Sequence, residues 1–162
     1  MGLFSFIKEA GEKLFGHKEV EQAAATGAPN LAELNQKAGD AIKTYIEQQN
    51  LGVIGLDVAF DGASGKVTLA GSAPSQEAAE KAGLAAGNVA SVSGVDNNLQ
   101  YPAGTASQYH DVVRGDTLSA IAKKFYGDAN KYPVIFEANK PMLSHPDKIY
   151  PGQKLRIPPL AQ

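Results

Sequence analysis

The three histidines, His17, His110 and His145, are the side chains here with the widest chemical repertoire, and there is no cysteine to join them. A histidine metal site needs several ligands at set spacings, and a nucleophilic site needs a base and a group that orients it. His17 falls in a linker, His110 at a strand edge and His145 in a proline-rich loop, and no carboxylate stands at a spacing that completes any of them. The serines lack the strand–turn–helix setting of a nucleophile elbow. Gly62, Gly65 and Gly71 lie at strand ends rather than between a strand and a helix, so they read as turn residues and not as a phosphate loop. The expectation is a protein that is not an enzyme and holds no metal through histidine.

Main-chain oxygen is a chemistry that every chain offers and that no side-chain motif marks. A large, weakly hydrated cation is selected by several neutral oxygens, typically carbonyls. Every residue has a carbonyl, so sequence marks only where carbonyls are free. The last four of a helix lack intrahelical partners and sit at the negative end of the helix dipole. Two helix ends qualify, one around Ile7, Ala10 and Gly11 and one at Ala86-Gly87-Asn88-Val89-Ala90-Ser91. Gly87 and Asn88 tolerate the backbone angles of a C-terminal cap. Ordinary capping by water or by neighbours is the competing reading. Glu9 and Asp96 read as surface charges or as residues tuning the local field.

The elements that must position these ends follow from periodicity. Residues 1–15 read as a short amphipathic helix, with Leu3, Phe4, Ile7, Leu14 and Phe15 on one face, docking on the next domain or lying on a membrane surface. Residues 17–29 read as a linker. Asn30 with Glu33 forms a capping box for a helix carrying Leu34, Ala38, Ala41, Ile42, Tyr45 and Ile46. Strands at 56–60 and 66–69 alternate around a turn at 61–65. Ser75 caps an alanine-rich helix, and a third strand carries Val95, Leu99 and Tyr101 on one face. Residues 102–107 are a linker by composition. Beyond it come a strand at 109–113, helices starting after Asp116 or Thr117 and at Lys131, and a strand at 154–157. The fold class is α+β: an N-terminal helix and an α-β-β-α-β domain, then a small β-α-α-β domain. The predicted boundaries are 1–29, 30–101, 102–107 and 108–160.

Bulk properties narrow the partners. The 162 residues suit two small domains, and a net charge of −2 lacks the basic excess of a nucleic-acid binder. Lys8 and Glu9 interrupt the apolar start, so neither a signal peptide nor a membrane span is expected, and a cytoplasmic location is.

Residues 108–159 resemble a LysM domain, through YHDVVRGDTLSAIAKKFYG, EANK and IYPGQKLRIP in that order. Residues 30–101 resemble a BON domain, through LDVAFDG, GKVTLAGSAPS, the alanine-rich helix and SVSGVDNNLQY. Together with the opening MGLFSFIKEAGEKLF, the whole resembles the bacterial cytoplasmic potassium-binding proteins of the Kbp family, least closely at 17–30. That resemblance implies an ion sensor, with K+ as the bound ion, that becomes compact on binding. It also implies main-chain ligands at Ile7, Ala10, Gly87, Val89 and Ser91, the last standing where the related sequences have glycine. LysM domains commonly bind N-acetylglucosamine polymers, in a groove that here comprises Gly115, Asp116, Thr117 and Leu118 with residues 141–149. Without an export signal, peptidoglycan is not the expected partner. An intramolecular BON–LysM contact in a monomer is, and the alternative is an envelope-associated adaptor.

Overall fold

A computed structural model describes residues 3–7, 11–102 and 107–160. The first domain holds a four-stranded sheet in the order β1 (Leu3–Ser5), β4 (Gly94–Gln100), β3 (Lys66–Ser72), β2 (Ile54–Asp61). β3 and β4 are parallel, joined across one face by α3 (Gln76–Gly87), and the outer pairs are antiparallel. Strand alternation puts Leu56, Phe60, Val67, Leu69, Val95 and Leu99 on one buried face, while Asp57, Ala70 and Asn98 are exposed. α2 (Leu31–Glu47) contributes Ala38, Ile42 and Ile46 to that core. The Ser75 hydroxyl accepts from Ala78 N at 3.1 Å, so the predicted N-cap of α3 forms.

The beginning of the chain differs from its prediction. Leu3–Ser5 is not helical but pairs with β4, with Phe4 opposite Val95 and Ser5 opposite Gly94. A short helix flanked by glycines repays its nucleation cost poorly, and Leu-Phe-Ser-Phe-Ile suits a strand on an open sheet edge. Residues 11–16 are not helical either, whereas His17–Thr26, read as a linker, is helix α1. Its Lys, Glu, Gln and Ala content favours helix, it buries only Val20 and Ala23, and Gly27 closes it in the left-handed conformation at φ 65°. Asn30 makes no capping bond to α2; Glu33 pairs instead with Lys37 at 3.2 Å.

The second domain pairs β5 (Gln108–Asp111) antiparallel with β6 (Lys154–Ile157) beneath α4 (Leu118–Tyr126) and α5 (Tyr132–Ala138). Leu118, Ile121, Ala122, Ile135, Leu143, Leu155 and Ile157 form its core. The architecture is α+β, as predicted.

α3 is buried on more than its sheet-facing side. Ala78, Ala79 and Ala82 through Gly87 are all buried, because β6 of the second domain and the Phe6 ring of the N-terminal segment cover part of the side that the sheet leaves open. Gly83 is needed there: a Cβ on it would lie 2.6 Å from Asn97 Nδ2, which donates to Ala79 O.

Candidate cation site at the end of helix α3

α3 ends where three parts of the chain meet. Asn88 N still reaches back to Leu84 O at 3.0 Å and Val89 N to Ala86 O at 3.3 Å. Val92 N then closes a turn onto Val89 O at 3.2 Å. Among the described residues, no N–H or hydroxyl donates to the carbonyls of Gly87 or Ser91. No basic side chain occupies the last turn of α3, so the partial negative charge of its C-terminus is not offset from within the helix.

The N-terminal segment is pinned to this end at two points. Phe6 N donates to Ser93 O at 2.8 Å, and the Phe6 ring lies on Gly87, where a Cβ would stand 1.9 Å from Cζ. Further along, Glu12 N donates to Asn88 O and Ala90 N to Glu12 O, each at 2.8 Å, an isolated parallel bridge. Gly11 makes that approach possible at φ 114°. Ile7 follows directly on the first anchor with its side chain half exposed. Ala10 lies outside the described residues.

Of the predicted ligands, the structure thus brings Gly87, Val89 and Ser91 into one turn, while Ile7 is placed only as the residue after Phe6, which is bonded to Ser93. Ser91 is a surprise in its backbone: φ is 75°, in the left-handed region that favours glycine, and the residue is 2% exposed. Its hydroxyl donates to Glu21 Oε1 at 3.2 Å and meets His17 Nδ1 at 3.0 Å. Burial lowers the His17 pKa; Glu21 opposes that shift, Lys13 adds to it, and the Ala90 carbonyl opposes it again. Sequence reasoning placed neither His17 nor Glu21 here, because a linker reading gave them no fixed position.

The second domain is the third part. Asn88, only 3% exposed, pairs its side chain with the Lys154 backbone: Nδ2 donates to Lys154 O at 2.8 Å, and Lys154 N donates to Oδ1 at 2.9 Å. Asn139 does the same two residues further along β6, accepting from Arg156 N at 2.8 Å and donating to Arg156 O at 3.0 Å. The open edge of β6 is therefore closed by two asparagines, one of them from the other domain. Tyr150 Oη lies 3.5 Å from Asn88 O. Burial, then the nearby Glu12 carboxylate, raises the pKa of Tyr150 and pushes that of Tyr45 up to about 12, so both phenols stay protonated. A second tie joins Arg156 Nη2 to Glu80 Oε1 at 2.8 Å, with both side chains almost buried, and Ser107 Oγ donates to the same oxygen at 2.9 Å. Lys154 Nζ, 5.4 Å from the Phe6 ring centroid, pairs with Asp111 at 3.0 Å.

The glycan-groove residues are engaged locally. Leu118 is in the core, Thr117 Oγ1 caps α4 by accepting from Ala120 N at 3.1 Å, and Gly115 turns at φ 93°. Asp116 Oδ2 accepts from Val113 N at 2.9 Å and pairs with His110 Nε2 at 2.8 Å. Those contacts, the Val113 N–H first, hold the Asp116 carboxyl below the usual carboxylate range. A depressed carboxylate stabilises the fold above its unfolded pKa of about 3.9, and that stability is lost as pH falls through the folded value. Asp116→Asn is therefore expected to flatten the acid side of the second domain's unfolding midpoint, followed by thermal melts from pH 5 to pH 2, scanned at roughly half-unit steps through the carboxylate range. An unchanged acid profile would place the stabilising charge elsewhere.

His145 Nδ1 accepts from Asp147 N at 3.1 Å. Among the described residues, no three His, Asp or Glu side chains converge on a common point, and no helix is long and apolar enough to cross a membrane. What the α3 end offers a cation is neutral oxygen.

Comparison with known proteins agrees with this division. The BON domain family matches residues 34–103 and the LysM domain family residues 110–158. A protein named potassium binding protein Kbp, from Escherichia coli O6:H1, is 47% identical over 162 residues, covering 98% of this chain and 99% of the relative. Shorter similarities reach an uncharacterized protein of Deinococcus radiodurans, 48% identical over 33% of this chain and 21% of that protein, and the uncharacterized protein YqbP of Bacillus subtilis, 39% identical over 35% of this chain and 30% of that one. A likeness that spans both domains and nearly the full length of both chains shows the family: the chain belongs to the Kbp family, a BON domain followed by a LysM domain.

Proposed function

We propose that this protein binds K+ at the end of α3 and becomes compact when it does, serving as a cytoplasmic ion sensor and not as an enzyme. The name of the Escherichia coli relative, similar along its whole length, supports the choice of ion. The observation that carries the reading is the pair of carbonyls at Gly87 and Ser91, without donors among the described residues, at a helix end with no basic side chain in its last turn. Such oxygens keep their full dipole for a cation, and K+ prefers several of them to a carboxylate cage. The ligand set is the main-chain oxygens of Ile7, Ala10, Gly87, Val89 and Ser91. The Val89 carbonyl already accepts from Val92 N and offers its second lone pair.

Compaction follows from what surrounds those oxygens. Asn88 sits between two ligands, and its side chain is bound by the Lys154 backbone. A cation that fixes the turn on either side of Asn88 also fixes the surface on which the LysM domain docks, so the ion binds the docked arrangement better and shifts the population toward it.

Titration of K+-free protein with KCl and with NaCl at matched ionic strength tests this. Saturable heat with K+ alone, with amide NMR shifts centred on residues 6–12 and 87–93, is the expected result. Equal responses to the two salts would remove the reading, and binding of glycan fragments would then favour the envelope adaptor.

A further inference from the structure

Helix α1, which carries no ligand of its own, makes the most specific contact with the ion site. We infer that α1 is a clasp on that site, with His17 acting as a positioning residue that holds Ser91, and through it the α3–β4 turn, in a ligand-ready conformation. This rests on reading the α3 end as the K+ site.

The argument starts from the Ser91 backbone. A residue with a Cβ at φ 75° adopts a conformation it does not favour, and the surroundings must impose it. Ser91 is also buried, so its hydroxyl needs protein partners. Its proton goes to Glu21 Oε1. The contact with His17 Nδ1 at 3.0 Å is then a bond in which the ring N–H donates and the hydroxyl accepts. That choice leaves His17 Nε2 as an acceptor, and Leu14 N donates to it at 3.0 Å. The hydrogen-bond network is consistent in one tautomer only, and it runs from the loop before α1, through the imidazole, to the ligand turn.

The ring itself is held. It packs on Phe15 with centroids 4.0 Å apart, and Phe15 in turn packs on Phe60 of the sheet at 5.5 Å. Ser91 O lies against Gly65, where a Cβ would stand 2.9 Å away. The turn is thus gripped by its hydroxyl on one side and packed at its carbonyl on the other. Removing the grip frees Ser91 to leave the left-handed region, which swings the Ser91 carbonyl and its neighbours out of place. Removing the hydroxyl with glycine makes the conformation intrinsically accessible and the grip unnecessary.

A double-mutant cycle on the full chain, with K+ affinity by calorimetry and the amide shifts of residues 89–93, tests the clasp. His17→Ala is expected to weaken K+ binding by about tenfold and to shift those amides before any K+ is added, one unmade hydrogen bond in a ligand turn being worth that factor. In the Ser91→Gly background the same change is expected to leave affinity unaltered, and Ser91→Gly alone to bind K+ within about threefold of the parent, since glycine meets the left-handed angle without strain. Equal loss from His17→Ala in both backgrounds would overturn the clasp, because His17 would then act through general stability. So would an unchanged affinity in His17→Ala. A parent chain that prefers neither K+ nor Na+ would remove the ion site and the clasp together, whereas failure of the cycle alone leaves the ion site standing.

Discussion

Replacing Gly11 with alanine is expected to lower K+ affinity by up to about a hundredfold while leaving the LysM domain folded. Gly11 has φ 114°, and an added Cβ would stand 2.1 Å from Asn88 O, 2.7 Å from Asn88 C and 3.1 Å from Ala90 N. All three are backbone atoms, so no side chain can swing away to make room. Relief requires residues 11–12 to lift from α3, which breaks Glu12 N to Asn88 O and Ala90 N to Glu12 O. Two such bonds contribute about 0.5–1.5 kcal/mol each. Keeping the segment docked instead would hold alanine at φ 114°, at about 1–3 kcal/mol of backbone strain besides the clash. A cost of about 3 kcal/mol, the upper end of the lifting route, corresponds to about two orders of magnitude in affinity. Calorimetry against KCl and hydrogen exchange at Glu12 and Ala90 measure the two halves of the effect. Gly127→Ala is the control: φ is 76°, but nothing lies within 4 Å, so it is expected to cost local stability and leave K+ affinity alone. Parent-like affinity in Gly11→Ala would show that the N-terminal segment contributes nothing to the site.

The second large effect is expected at Asn88, and it separates binding from compaction. Alanine there removes both side-chain bonds to Lys154 and leaves that residue's N–H and C=O facing a domain boundary without partners. Each such loss costs about 1–3 kcal/mol. Once the edge of β6 loses its cover, the ties that remain include the Glu80–Arg156 pair, the long contact of Tyr150 Oη with the Asn88 carbonyl at 3.5 Å, the Phe4–Tyr109 ring contact at 5.0 Å and the Phe6–Lys154 approach. A nearly buried ion pair contributes little net stability once its desolvation is counted. The LysM domain is therefore expected to detach. Small-angle scattering of Asn88→Ala should give a larger radius of gyration than the parent in KCl, and one that K+ no longer reduces. K+ binding persists, weakened, because Asn88 supplies neither of the donor-free carbonyls. A radius that still contracts with K+ would mean that docking is not transmitted through Asn88.

The sequence alone carries much of this fold because its signals are local. Ser75 caps α3 through a bond to a residue three places away, and alternation along β2, β3 and β4 sorts apolar from polar within each strand. The strand–turn–helix order around Gly115, Asp116 and Thr117 is likewise decided within a turn or two of chain, whereas Gly87 is required by the remote Phe6 ring packed on it and not by a left-handed cap. That α3 ends at Gly87 is local too, so its donor-free carbonyl is legible in the sequence, whereas the second helix end read around Ile7, Ala10 and Gly11 does not form: Ile7 and Gly11 are not helical, and Ala10 lies outside the described residues. Asn97 shows the limit: the alternation puts it on the buried face with Val95 and Leu99, and only the presence of Ala79 O behind it explains why an amide is tolerated there.

Tertiary structure decided the rest. Leu3–Ser5 has apolar residues that suit a helix face as well as a strand, and the unpaired edge of β4 selected the strand. His17–Thr26 carries only two buried positions, too few for periodicity to declare a helix, yet it delivers His17 and Glu21 to Ser91. Asn88 reads as a helix cap, and its backbone does end α3, but its side chain serves β6 in the other domain. In each case the partner is remote in sequence. Composition and spacing specify what a segment can form locally; which remote edge, hydroxyl or backbone it meets depends on which of them the folded domains leave without a partner.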